Sequence, residues 1–375
     1  MITPATTSTT LPSSLRRLVL SFARGALVST FAAATVLMSL ATIAAAASFI
    51  PAQGSTSPAN GDLNPYGLAV VPAGFPGTTL QPGQLLVSNF NNSAAGGNIQ
   101  GQGSTIIVVK PANGQQTGVF FQGNRPFGFT NALQVARAGF VFAGSVFTTG
   151  AGNNPQSGGL LVLNSSGALV TIINKGVNGA WGLAINDRGG SAQLFVSNVL
   201  DGTVTRLDMR FASGGGAAAK TTTIGSGYSF GLDSAGLVVG PAGLAYDAAH
   251  DVLYVASEDD NEIFAIPHAG AATSSSGQGN LIYSDATHLH GPLGLMIAPD
   301  GNLVTANADP AVHVDPAQPS ELVEFTLSGS FVRQFSIDPN TGSAFAILNV
   351  PTSRSNEFSY VDDFSSLINV LQLAK

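Results

Sequence analysis

The sequence predicts an all-β chain built as a six-bladed β-propeller of four-stranded antiparallel blades. Three observations carry this: a glycine-led apolar phrase that recurs along the chain, short strand-like runs after each copy, and the lack of any sustained 3.6-residue apolar stripe beyond residue 47. The phrase reads Pro65-Tyr66-Gly67-Leu68-Ala69, Pro126-Phe127-Gly128-Phe129-Thr130, Ala180-Trp181-Gly182-Leu183-Ala184, Pro241-Ala242-Gly243-Leu244-Ala245 and Pro292-Leu293-Gly294-Leu295-Met296, with a weaker sixth copy at Ser343-Ala344-Phe345-Ala346-Ile347. Glycines at 67, 128, 182, 243 and 294 are spaced 51 to 61 residues apart, long enough for one blade each.

After each phrase a second strand is expected, clearest at Leu85–Asn89, Leu194–Asn198 and Leu253–Ser257, then a third at Thr203–Leu207 and Glu262–Ile266. Fourth strands are expected at Gly118–Phe121, Leu169–Ile173 and Phe331–Phe335. Second strands end in Asn89, Ser145, Asn198, Ser257, Asn307 and Asp362, residue types whose side chains satisfy nearby backbone groups, so this ring is expected to bond adjacent turns.

On these residues the segment Leu253 to Ile266 resembles the NHL repeat, a Leu-Tyr-Val-Ala-Asp strand followed by a polar turn and an Ile-x-x-Phe strand. Leu194 to Leu207 and Phe358 to Leu371 fit the same frame, with Val204, Ile263 and Ile368 at the isoleucine position. The resemblance, over residues 60 to 373, implies a scaffold and not one activity.

The two chain ends carry separate expectations. Residues 1 to 47 hold Arg16, Arg17 and Arg24, no acid, and an Ala/Leu/Val-rich stretch ending in Ala45-Ala46-Ala47, which reads as a secretory signal, with an uncleaved membrane anchor as the alternative. The protein is thus expected to be exported, periplasmic or extracellular, with residues 48 to 375 forming one propeller domain. The sixth unit runs out after its third strand, so Ala47-Ser48-Phe49-Ile50-Pro51 is expected to supply the fourth as a clasp.

Composition excludes several classes of chemistry. There is no cysteine, hence no disulfide, thiolate metal site or cysteine nucleophile. Beyond residue 47 the 11 Lys and Arg are scattered singly against 21 acids, a formal net charge of −10, which argues against a nucleic-acid partner. A closed propeller leaves no obvious edge for pairing, so a monomer is expected.

In a propeller the second-to-third and fourth-to-first connections share one face, here called upper, and insertions there build a site. Long second-to-third connections are expected at 91–103, 147–158 and 309–320. The third carries Asp309, His313 and Asp315, and the connection entering the same blade carries His288 and His290. His288, His290 and His313 with Asp309 or Asp315 form a nitrogen and oxygen set for a divalent metal, the one cofactor the chain would hold; solvated loop side chains are the competing account. Arg125, before Pro126, is a candidate carboxylate binder. Tyr66, Phe127 and Trp181, each preceding a repeated glycine, are candidates for the floor of an apolar ligand pocket, or packing. Glu258-Asp259-Asp260 lacks the spacing of a calcium loop and reads as a solvated turn.

The six-bladed lactonases of the gluconolactonase and regucalcin type are similar to this chain in blade count and in the glycine-led inner strand. That resemblance implies a divalent metal held by Glu, Asn and Asp directly before the glycine. The matching positions here are Tyr66, Phe127, Trp181, Ala242, Leu293 and Ser343, none a carboxylate. The functional expectation is therefore a non-catalytic exported scaffold binding a protein, glycan or small molecule at its upper face. Its rival is a hydrolase or lactonase-like enzyme using the His/Asp cluster.

Overall fold

The computed structural model describes residues 52–93, 97–149, 152–212, 217–307, 321–337, 344–350 and 357–372. The signal segment, residues 47–51, Ser343, Asp309, His313 and Asp315 lie outside them. Strand β1 (Ala52–Ser55) comes first. The first blade follows as β2 (Asp62–Val70), β3 (Leu85–Asn92), β4 (Thr105–Val109) and β5 (Gln116–Gln122), and the second as β6 (Phe129–Ala136), β7 (Phe140–Thr148), β8 (Pro155–Asn164) and β9 (Leu169–Ile173). The third holds β10 (Ala180–Asp187), β11 (Ser191–Asn198), β12 (Thr203–Phe211) and β13 (Ala217–Ser226). A hairpin, β14 (Gly231–Asp233) and β15 (Leu237–Val239), precedes the fourth blade, β16 (Pro241–Asp247), β17 (Val252–Ser257), β18 (Glu262–Pro267) and β19 (Asn280–Tyr283). The fifth is β20 (Pro292–Ile297), β21 (Leu303–Asn307), β22 (Glu321–Phe325) and β23 (Phe331–Ser336), and the sixth β24 (Ala344–Asn349), β25 (Glu357–Asp362) and β26 (Leu367–Gln372). All six sheets are antiparallel meanders, and no helix occurs among the described residues.

The sixth blade is completed by β1, which pairs antiparallel with β26, Ala52 opposite Val370 and Ser55 opposite Leu367. The clasp therefore exists, five residues further along than the sequence suggested. It is fixed by Gln53 Nε2 donating to Asn369 Oδ1 at 2.8 Å, and by Gly54 lying where a Cβ would collide with the Gly114 carbonyl of the first blade. Closing the ring this way covers the edge that β26 would otherwise present.

Inner strands β2, β6, β10, β16, β20 and β24 neighbour one another in that order and return to β2. Apolar side chains fill each junction between blades: Leu86, Ile106 and Phe129 between the first two, Phe142, Leu194 and Leu207 between the second and third, Leu303 and Phe325 between the fourth and fifth, all buried. Burying such side chains on both faces of every blade is what holds the ring, at roughly 1.5–3 kcal/mol each.

Pairing fixes which residues are equivalent. Pro65, Phe129, Ala180, Pro241, Pro292 and Ala344 pair with Asn89, Ser145, Asn198, Ser257, Asn307 and Asp362, and a bulge follows in every inner strand. The position two residues on is thus Gly67, Asn131, Gly182, Gly243, Gly294 and Ala346. The sequence phrase is out of step in two blades: in the second it stands three residues early, on Gly128, and in the sixth one residue early. The physical reason is that this glycine answers a contact from the next blade. A Cβ on Gly182, Gly243 or Gly294 would collide with the carbonyl of Ala242, Leu293 or Phe345. In the second blade Asn131 takes the position, and Gly144 on β7 stands against the Ala180 carbonyl instead.

The ring of second-strand ends bonds to nearby turns. Asn89 Nδ2 donates to Thr56 O at 3.1 Å, Asn198 Oδ1 accepts from Asn178 N at 3.0 Å, Ser257 Oγ donates to Asp260 Oδ2 at 2.6 Å, and Asn307 Nδ2 donates to His288 O at 2.7 Å. Ser145 Oγ bonds Phe127 O, and Asp362 accepts from Ser365 N at 3.1 Å.

Candidate functional site

At the upper end of the axis, each bulge aims the residue before the glycine position inward. These are Tyr66, Thr130, Trp181, Ala242, Leu293 and Phe345. All but Thr130 belong to one buried cluster with Phe90, Val146, Val199, Leu237 and Val238. Trp181 is fully buried, edge-on to Tyr66 at 5.4 Å and to Phe90 at 5.5 Å, and Tyr66 packs on Phe345 at 4.2 Å. Thr130 Oγ1 donates to Ala180 O at 2.7 Å.

The hairpin of β14 and β15 lies over this cluster, burying Leu237, Val238 and Val239, and Gln100 Nε2 of the first blade bonds Ala235 O at its tip, 2.5 Å away. This cap was not expected, because its apolar run Leu237-Val238-Val239 is only three residues long and stands among Gly, Ser and Asp. Tyr66 and Trp181 thus form a packed plug beneath a cover and do not floor a shallow pocket. Phe127 belongs elsewhere, in the junction of the first two blades, stacked on Phe129 at 5.4 Å. Below the plug the axial channel narrows to a 150 Å³ space among Leu68, Leu133, Leu183, Leu244, Leu295 and Ile347, one from each blade.

Off the axis, the upper face carries a cleft of about 280 Å³ where the first two blades meet, lined by Asn92, Ile99, Gln102, Ser104, Asn124, Arg125 and Pro126. Its walls are stitched together: Phe127 N and Gly128 N both donate to Gly103 O at 2.9 Å, Val146 N donates to Gly128 O at 3.0 Å, and Thr148 N donates to Gly101 O at 3.2 Å. The Arg125 guanidinium lies 4.3 Å from the Phe127 ring centroid and 5.4 Å from that of Phe147. Beneath, the buried Asp62 carboxylate accepts from Asn92 Nδ2 and Thr105 Oγ1, both at 2.6 Å, and from Ser104 N at 2.8 Å. The second-to-third connection of the second blade is shorter than expected, because Val146–Thr148 pair with Pro155–Ser157 and extend β7 and β8.

On the opposite rim, His288 stacks on Phe331 at 3.9 Å and its Nδ1 contacts Asp285 Oδ2 at 2.6 Å. Tyr283 OH donates to the same oxygen at 2.8 Å and Thr287 N to Oδ1 at 2.9 Å. Burial pushes the Asp285 carboxyl up, but the bonds from His288, Thr287 N and Tyr283 outweigh it and bring it down to about 2. His290 Nε2 lies 3.3 Å from Ala286 O, and so faces a different partner from His288. No group of three or more His, Asp or Glu that could hold a metal occurs among the described residues. Asp260, in the acidic run, accepts from Ser257 Oγ, Ser229 N and Gln278 Nε2 as a turn anchor.

No family model matches the chain, and no curated protein matches it in sequence. Solved structures do. A gluconolactonase from Xanthomonas campestris aligns at 13% identity and a TM-score of 0.52 over 84% of this chain and 87% of that one. The calcium-binding protein regucalcin from Agrobacterium tumefaciens aligns at 12% identity and 0.50, over 83% and 90%. A luciferin-regenerating enzyme aligns at 11% and 0.51, over 86% and 96%. The likeness is one of fold.

A divalent cation at the axis, which lactonase resemblance implies, does not fit these residues. The ring offers no carboxylate. Its one fully buried, unpartnered polar atom is Trp181 Nε1, a donor, which would repel a cation where an acceptor is required.

Proposed function

We propose that this chain is an exported, non-catalytic propeller, NHL-like in its strand frame, that binds a protein, glycan or small molecule through the off-axis part of its upper face and acts as a monomer. One observation carries the reading: the axial position where a propeller lactonase would gather its polar groups is filled by Tyr66, Trp181, Leu293 and Phe345 and covered by Leu237 and Val238. Lactone hydrolysis needs a polarised carbonyl and an activated water, and a ring of Tyr66, Thr130, Trp181, Ala242, Leu293 and Phe345 holds no carboxylate or imidazole to supply either. The test is a panel of lactones and phosphoesters with added zinc or calcium. No turnover is expected, and turnover abolished by Trp181→Ala would overturn the reading.

A second reading, a hydrolase working through His288, is favoured by the Asp285 contact, which engages Nδ1 and leaves Nε2 outside that bond, as a general base requires. Activity in the same panel that disappears in His288→Gln and survives in Trp181→Ala would select it.

A further inference from the structure

We propose that the cleft between the first and second blades binds a sugar acid, with Arg125 holding the carboxylate and the side-chain amides of Gln102 and Asn124 reading the hydroxyls. This rests on the binding-module reading above and deepens it.

Arg125 is exposed and makes no ion pair with any described residue, although its guanidinium is held in place by two aromatic rings. One N–H of Nη1 reaches Pro126 O at 3.3 Å, and Arg125 lines the cleft. A guanidinium already stacked loses little freedom on forming a two-pronged bond to a carboxylate.

The amides beside it are polarised by their own bonds. Gln102 Nε2 is spent on Thr148 O at 2.6 Å and Thr148 Oγ1 at 3.1 Å, which leaves Oε1 as an acceptor. The Asn124 side chain makes no hydrogen bond within the described residues and offers both a donor and an acceptor. Ile99 and Pro126 add a small apolar wall suited to the C–H face of a sugar ring. Asp62 does not compete for Arg125, because its oxygens are filled by Asn92, Ser104 and Thr105 below.

Size and charge narrow the ligand. The cleft, at about 280 Å³, stands at the lower end of the range for small-molecule sites. It is lined by one cation, Arg125, which suits recognition of one carboxylate within the cleft. The class is a hexuronate, free or at the end of a glycan.

The competing account of Arg125 is that it only covers Phe127, whose ring also packs on Phe129 and beside Gly123. Arg125→Met separates the two, since methionine keeps the apolar cover and lacks the fork. The purified protein is titrated calorimetrically with galacturonate, glucuronate and trigalacturonate, with galactose and propionate as neutral and plain-acid controls. The expected result is binding of the uronates, none of galactose, weaker binding of propionate, and about 10- to 100-fold loss in Arg125→Met at an unchanged melting temperature. Trigalacturonate binding tighter than galacturonate would identify a glycan end, and equal binding the free acid. Equal affinity for galactose, unchanged uronate affinity in Arg125→Met, or no heat from any uronate would overturn the proposal. Silence toward uronates together with silence toward lactones removes this site alone, whereas lactone turnover removes the binding-module reading itself.

Discussion

Gly182 of the third blade lies against the carbonyl oxygen of Ala242 in the fourth, and a Cβ on Gly182 would collide with it. Ser197 completes the contact, accepting from Gly182 N at 2.8 Å and donating to Ala242 O at 2.7 Å. The same join recurs between the first two blades, where Ser88 bonds both Gly67 N and Thr130 O at 3.1 Å. A recurrent glycine in this chain is therefore a seam between blades.

Gly182→Ala should accordingly be costly, because the opposing atom is backbone and cannot swing aside. Overpacking of this kind is expected to cost about 3 kcal/mol in urea unfolding. Gly190→Ala serves as the control: that glycine has open space around its would-be Cβ, and its change should stay within about 0.5 kcal/mol. Equal stability of the two variants would remove the seam argument.

This seam also explains what the sequence could and could not disclose. Blade number, strand order and most strand positions follow from local patterns such as Leu253–Ser257 and Leu169–Ile173, where composition and alternation act within one strand. Equivalence between blades does not, because it is decided by what the next blade presents. Pro126-Phe127-Gly128 looks like the phrase yet lies ahead of the bulge, so Thr130, and not Phe127, occupies the axial ring. The cap over Trp181 was illegible for a similar reason: Leu237 to Val239 is too short to signal a hairpin without the aromatic surface that it covers. Arg125 was visible as a lone cation in a connection, but its aromatic shelf combines residues from separate connections.

The clasp should be removable with a measurable loss. Deleting residues 52 to 55 exposes the edge of β26 and empties the space beside Gly114, which is expected to lower the melting temperature by about 5–10 °C. Gly54→Val, which retains the strand but collides with Gly114 O, should reproduce most of that loss. A deletion that melts like the parent would show that β1 contributes nothing to closure.

Arg206 should behave as a rivet between the third and fourth blades. It is buried, bonds both oxygens of Asp208 at 3.1 Å, and donates from Nη1 to Ala269 O and Ala272 O at 2.9 Å. Arg206→Met leaves those carbonyls without their donor and should cost about 3 kcal/mol. Faster amide exchange should be confined to the Ala269–Ala272 turn and β12; protection there equal to the parent would count against the rivet.

Asp285 sets a pH dependence whose sign follows from its depressed pKa of about 2, against an ordinary unfolded value near 3.9. The unfolded chain takes up this proton first as the solution is acidified. The stabilisation is therefore complete above about pH 4 and is lost as pH falls from there toward 2. Melting curves of the parent should fall more steeply across that window than those of Asp285→Asn. Parallel curves would mean that the bonds from His288, Thr287 and Tyr283 do not favour the ionised form.

The cap makes the axial plug open to direct optical test, because Trp181 is the only tryptophan in the chain. Its indole is fully buried among Tyr66, Phe90 and the side chains of Leu237 and Val238, so its emission should be blue-shifted and resistant to acrylamide. Leu237 holds a φ of 68°, unusual for a leucine, and such a conformation persists only where packing enforces it. Leu237→Ser with Val238→Ser removes that packing while leaving the inner strands untouched. The emission should then shift to the red and quenching should rise severalfold, with the melting temperature of the blades lowered only slightly. Replacing residues 231 to 239 by a short Gly-Ser link should give the same optical change. If Trp181 stays dry in both variants, the bulged inner strands seal the axis by themselves, and the hairpin belongs to the binding surface of the upper face and not to its cover.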